Sequence, residues 1–249
     1  MKKYGITFIL LIFFTQTAFT QNPPLRVAIA SFSPPFVMRS SQDKYYGFDI
    51  ATIQYICNAL DRPCEYLPMN ADNLIPTLEA QQADIAIGGL VITLQNARHV
   101  RFSTPYLVSQ AQFIATDTAP FTTPFNIEQL NGKRIGVINQ SAFSQNIARM
   151  SFNKSRIITF EHDSDIIEAL RANTLDVALF GLLQANYWKA HSRGLLKNIG
   201  PSFPIGLGFS IAIAPDKIHL IEKINTAVIQ YQESKEYKRN YHLYFPEKF

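Results

Sequence analysis

The sequence predicts an α/β protein with mostly parallel sheets in two lobes, and three observations carry that reading. Short apolar, β-prone runs alternate with segments of helical spacing along the chain. The alternation starts twice, at Leu25 (LRVAIA) and again at Arg134 (RIGVI). Between them lies the stretch around which the chain is organised, Asp84–Tyr106, DIAIGGLVITLQNARHVRFSTPY. Its first residues, Asp84–Ile87, read as a buried strand. Gly88 and Gly89 end the strand and allow backbone to come close to whatever sits there. Thr93 can cap the turn that follows. Backbone N–H groups converge in such a corner and suit a carboxylate or similar anion. An ordinary strand-to-helix connection is the plainer alternative.

Each element follows in order. Leu25–Ala30 is the first strand, and SFSPPF (Ser31–Phe36) is a rigid turn in which each Pro fixes its φ. Phe32 and Phe36 flank it, with core packing the default for both. Gly47-Phe48-Asp49 opens a helix with Ile50, Ile53, Ile56 and Leu60 at helical spacing. Cys64–Leu67 is the second strand, and Asn73–Ala80 a short helix with Pro76 in its first turn. After the central stretch come a strand at Phe113–Thr116 and a Pro/Thr-rich connector at Thr118–Phe125. The second lobe reads as a strand at Arg134–Ile138, a helix from Asn139–Ser141 to about Met150, and a strand at Ile157–Phe160. A helix at Asp165–Ala172, capped by Asp163 or Ser164, precedes a strand at Leu175–Phe180 and a helix carrying Trp188. Gly200–Gly208 reads as irregular, Phe209–Ala214 as a strand, and Lys217–Gln232 and Ser234–Tyr244 as helices. Ligands in such folds sit at the carboxyl ends of strands, hence in a cleft between two facing lobes.

At 249 residues the chain suits one large domain or two ordinary ones, and 47% hydrophobic with 17% charged residues describe a folded core. Residues 1–20 read as a secretory signal peptide: Lys2 and Lys3, the apolar run Ile6–Phe14, and small residues ending at Thr20. The apolar run is short for a membrane span, and no cysteine at the cleavage point suggests a lipoprotein. Two of the net four positive charges belong to that leader, and no basic run implies nucleic acid. Cys57 and Cys64 are the only cysteines. Export makes a disulfide the default, two free buried thiols the alternative, and a metal site is not expected.

The order SPPF…GFDI…LIPTLEAQQADIAIGGLVIT…VRFSTPY…LNGKRIGVI…LDVAL…SIAI…EYKRNYHLYF resembles the periplasmic amino-acid-binding proteins of ABC importers, solute-binding protein family 3, of the arginine, lysine–ornithine and histidine-binding kind. The Cys57–Cys64 spacing matches a disulfide in that subgroup. The resemblance implies a type II periplasmic-binding-protein fold with two crossing hinge strands. Lobe one would span residues 22–109 and 206–249, lobe two residues 110–205. It also implies hinge closure on a ligand, a periplasmic location, a membrane permease as partner, a monomeric state and no cofactor.

Carried over position by position, the family's pocket is altered here. The arginine that holds a ligand carboxylate is Asn96, and Arg98 reads as a solvated charge. The aspartate that holds the α-ammonium is Gly181, and the aspartate near the first strand is Ala30. Ser141 is kept, but the second hydroxyl is Ala142; the aromatic clamp positions are Ser33 and Ala71, with Phe32 a partial replacement. The central serine is Val91, and Gly88 and Gly89 persist. Losing both charged anchors would weaken amino-acid binding by roughly 3–6 kcal/mol, about a hundredfold to ten-thousandfold.

Three functions compete. One is an importer's binding protein taking an amino acid or related small acid, with an atypical pocket. The second is a sensor or interaction protein with a degenerate pocket, although no effector domain is expected after Phe249. The third is an enzyme of the cyclohexadienyl-dehydratase kind, which needs a placed acid or base. The mapped cleft positions supply none, and His99, His162, His191, His219 and His242 look scattered and peripheral, so no catalytic residue is assigned.

Overall fold

A computed structural model describes residues 22–150 and 152–246; the leader expected at 1–20 lies outside them. Strand β1 (Leu25–Ala30) leads through the Pro-rich turn to a short hairpin, β2 (Met38–Arg39) and β3 (Tyr45–Tyr46). Then come α1 (Phe48–Ala59), β4 (Cys64–Met69), α2 (Leu74–Glu79), β5 (Ile85–Ile87) and β6 (Arg101–Phe102). The second half holds β7 (Gln110–Thr116), β8 (Arg134–Ile138), α3 (Ala142–Ile147), β9 (Arg156–Phe160), α4 (Asp163–Arg171), β10 (Val177–Gly181), α5 (Leu182–His191) and β11 (Leu196–Pro204). The chain returns through β12 (Ala212–Ile213) to α6 (Ile221–Glu233) and α7 (Lys235–Tyr244).

Two five-stranded sheets result, ordered β4-β1-β5-β12-β6 and β11-β7-β10-β8-β9. In each, the strands joined by helices pair in parallel, β4/β1/β5 and β9/β8/β10. The segments next to the crossings add antiparallel pairs, through β12 in one sheet and β7 in the other. The double start seen in the sequence is thus a structural repeat, and it extends to side chains. Arg26 at the start of β1 takes both carboxylate oxygens of Asp84 through its backbone N–H and Nη2, at 3.0 and 2.8 Å. Arg134 at the start of β8 does the same with Asp176, at 2.7 Å in both cases. Each pair ties a first strand to the residue leading into its parallel neighbour.

The halves are joined by two crossing segments that run side by side. Phe209 N–H donates to Leu107 O at 2.8 Å, Tyr106 N–H to Phe209 O at 2.9 Å, and the Ser109 hydroxyl to Ile205 O. The first sheet is backed by α1, α6 and α7, where Phe48 meets Tyr237 and Tyr241 edge to face, as Tyr241 meets Phe245, and packs tilted against Tyr106 and Phe245. That arrangement adds orientation preferences to the area they bury.

Several elements differ from expectation. The β2/β3 hairpin was not read, because two-residue strands carry no period. The stretch after Gly200 is not irregular throughout: β11 runs to Pro204. Its prolines are tolerated because β11 is an edge strand with a bulge between Ile199 and Phe203. Helix α3 stops at Ile147, where i→i+3 bonds from Arg149 and Met150 tighten the last turn. Asp163 does not cap α4; His162 stands at that position, and Asp163 is the first helical residue with its side chain turned inward.

Cys57 and Cys64 are disulfide-bonded, fastening the last turn of α1 to the start of β4. The loop has a sequence separation of 7, so reduction is expected to lower unfolding free energy by about 2–3 kcal/mol. Urea unfolding of oxidised against reduced protein measures this, and a difference under about 1 kcal/mol would contradict it.

Candidate functional site

The carboxyl ends of β1, β5, β8 and β10 point at one another across a cavity of about 280 Å³. Ala30, Gly88, Ile138 and Phe180, at those ends, all line it. At ~30 Å³ per water it holds about nine water volumes, the size of an amino acid or a short amine. The site therefore sits where open α/β sheets place ligands, and both sheets contribute walls.

Hydrogen bonds cross the cavity. Gln184 Nε2, from α5, donates to Ser33 Oγ at 3.2 Å. Gln145 Nε2, from α3, donates to Asn96 Oδ1 at 3.4 Å, and Asn70 Nδ2 to Glu161 Oε2 at 3.4 Å. Phe32 meets Trp188 edge-on with ring centroids 6.4 Å apart. The lobes are thus in contact around the cavity.

Nine of the ten sequence-selected residues line this cavity: Phe32, Ser33, Ala71, Gly88, Gly89, Val91, Asn96, Ser141 and Ala142. Gly181 does not. A side chain there would be crowded, since an added Cβ would lie 2.8 Å from Gln184 Oε1 and 3.2 Å from Phe143 Cζ. Gln184 occupies the space that an aspartate at 181 would need. Phe32 is 41% exposed, not core as expected by default, whereas Phe36 is fully buried against Phe209. Arg98 is exposed and stands away from the cavity, as expected of a solvated charge.

The Gly88–Gly89 corner works differently from expectation. Both residues have positive φ, and a Cβ on Gly88 would come within 2.8 Å of Ala30 Cβ, so glycine is required there. Yet Gly89 N–H donates to Asp49 Oδ2 at 2.7 Å, and the Tyr106 hydroxyl donates to Asp49 Oδ1 at 2.7 Å. The carboxylate that the glycine corner binds is the protein's own. Asp49 is fully buried; burial lifts its pKa to about 6 against the pull of the Gly89, Tyr106 and Gly88 donors. Ser141 is also spent: its hydroxyl donates to Ile138 O at 2.7 Å and accepts Ser144 N–H at 3.1 Å as the cap of α3. Thr93 caps its turn as expected, accepting Asn96 N–H at 3.1 Å.

Sequence reasoning missed the acids. Asp72, Glu79, Glu161 and Asp163 line the cavity, and so do His99 and His162, which had looked peripheral. Asp163 is 4% exposed and accepts a 3.2 Å bond from Gln184 Nε2. Burial raises its pKa to about 7, with the Gln184 bond opposing. Glu79 is engaged by His99 Nδ1 at 2.7 Å. The lone signal for Asp163 was its place before a helix, which equally suits a cap.

Two α/β lobes, joined by paired crossing segments and closed around a cavity at their strand ends, define a type II periplasmic binding protein. Residues 25–247 match the family of bacterial extracellular solute-binding proteins, family 3, and the chain belongs to that family. It is 25% identical over 251 residues to the ABC transporter arginine-binding protein 1 of Escherichia coli (strain K12), covering 99% of this chain and 100% of that protein. It is 24% identical over 263 residues to the histidine-binding periplasmic protein of the same organism, covering 98% and 97%. Among solved structures, an arginine 3rd transport system periplasmic binding protein from Legionella pneumophila superposes with a TM-score of 0.82. That chain is 30% identical, with 90% of this chain and 100% of that one covered.

Proposed function

We propose that this protein is the periplasmic ligand-binding component of an ABC importer of the amino-acid type. It takes a small polar molecule into the cleft between lobe one (22–109 and 206–249) and lobe two (110–205) and delivers it, closed, to a membrane permease. The observation that carries this reading is the cavity at four converging strand ends, bridged by hydrogen bonds from both lobes. The paired crossing segments supply a hinge, since the chain passes between the lobes only through them and the Cys57–Cys64 disulfide lies within lobe one. The relatives named above are binding proteins for arginine and histidine and support a ligand of that size. The pocket residues proposed are Phe32, Ser33, Ala71, Gly88, Gly89, Val91, Asn96, Ser141 and Ala142, joined by Asp163 and Gln184.

Thermal melting against a panel of amino acids, organic acids and amines tests the reading. A ligand at a hundred times its Kd stabilises by about 2.7 kcal/mol. For a chain of this size that raises Tm by about 5–10 °C. The same ligand should lower the radius of gyration measured by small-angle scattering, and Ala142→Trp, which fills the cavity, should abolish both effects. A panel with no hit, or a hit indifferent to Ala142→Trp, would count against it.

A further inference from the structure

We infer that the cavity is built for a small organic cation that has no carboxylate, an aliphatic amine rather than an amino acid. The inference rests on the cleft being the ligand site and adds the chemistry of what fills it.

Among the described residues, no Lys or Arg lines the cavity. Two histidines line it, His99 bonded to Glu79 at 2.7 Å and His162, and the other groups that would replace an arginine in holding a carboxylate are largely committed elsewhere. Gly89 N–H is bonded to Asp49 and the Ser141 hydroxyl to Ile138 O. Asn96 offers one amide, without the bidentate fork of a guanidinium. A free carboxylate would thus be desolvated with few donors to meet it, next to several acids, an unfavourable exchange.

The unmet capacity is of the opposite kind. Asp72 and Gln145 line the cavity, while Asp72 Oδ1 and Gln145 Oε1, packed beneath its surface, have no hydrogen-bond partner. Asp163 is nine-tenths buried and has Gln184 Nε2 as its hydrogen-bond donor, for a group with about four acceptor sites. An ammonium, three donors with no acceptor, is the complement of a wall that carries Asp72, Glu79, Glu161 and Asp163. The acids come from both lobes, Asp72 from the turn before α2 and Glu161 and Asp163 from the start of α4. Like charges facing one cavity disfavour closure, and a cation between them reverses that sign. One group therefore supplies both selectivity and the drive to close. Phe32, Ala71, Val91 and Ala142 offer apolar surface for methylenes.

Calorimetric titration with pairs of probes that differ by the carboxylate alone decides the matter. The pairs are agmatine against arginine and cadaverine against lysine. The expected result is at least a tenfold tighter Kd for the amine of one pair or both. Asp163→Asn should weaken that amine at least tenfold in a protein that still melts cooperatively. Asn96→Arg should shift preference toward the amino acid by a similar factor. If the amino acid of each pair binds as tightly or more tightly, the inference fails while the cleft remains a binding site. If none of the four probes gives heat, the inference fails, and the cleft reading fails with it only if the wider melting panel is also silent. Amine binding untouched by Asp163→Asn overturns the inference as well.

Discussion

Replacing Asp49 with alanine is expected to cost several kcal/mol, the largest loss from any single cavity-floor substitution. Asp49 lies on α1 and is fully buried beneath the glycine pair, bonded to Gly89 N–H and the Tyr106 hydroxyl. Removing it leaves both donors buried and unmet, at about 1–3 kcal/mol each. The sum, about 2–6 kcal/mol, applies at pH 5, below the raised pKa of Asp49, where the substitution relieves no buried charge, and corresponds to a Tm loss on the order of 10 °C. Asp49→Asn should fall between: its carbonyl can take one donor, while its NH₂ confronts the other. Ligand affinity should drop with stability, because Gly88 and Gly89 form the cavity floor and their backbone is fixed by this carboxylate. Urea unfolding measures the first effect and titration the second. An alanine variant within 1 kcal/mol of the parent would mean that water satisfies those donors and that Asp49 does not hold the floor.

That bond also marks where sequence reading ran out. The strand, the glycine pair and the Thr93 cap were legible because each is written in consecutive residues with a local period or cap chemistry. The two-lobe repeat was legible because the strand pattern restarts at Arg134. Which carboxylate the glycine corner binds depends on a residue 40 positions away, and no local pattern encodes that. Gly88 and Gly89 therefore pointed correctly to an anion, which the chain itself supplies from α1, while both still line the cavity. Asp163 was hidden by the same ambiguity: an aspartate before a helix satisfies the rules for a cap, and its burial is set by Gln184 from a different helix. Gly181 rests on the resemblance alone, and the space beside it is taken by that same Gln184, a contact that no local pattern encodes.

Asp163→Asn is the second substitution expected to act strongly, and its effect on stability should depend on pH in a defined direction. Burial raises the folded-state pKa of Asp163 from 3.8 to about 7. Below pH ~4 the carboxyl is protonated in folded and unfolded chains alike, and the folded state bears no penalty. Between pH ~4 and ~7 the folded chain retains a proton that the unfolded chain releases, so stability falls as pH rises. Above pH ~7 the folded protein carries the full cost of a buried charge, on the order of 4 kcal/mol. An asparagine can keep the bond from Gln184 through its carbonyl and has no charge to bury. The variant should therefore be more stable than its parent at pH 8 by a few kcal/mol, with the gain shrinking to near zero by pH 4. Denaturant unfolding of both proteins at pH 4, 6 and 8 measures it. A gain that is flat across that range, or a loss at pH 8, would show that the charge is already compensated in the folded protein. The combination expected, a more stable protein that binds the proposed cation less tightly, is a trade of stability against function.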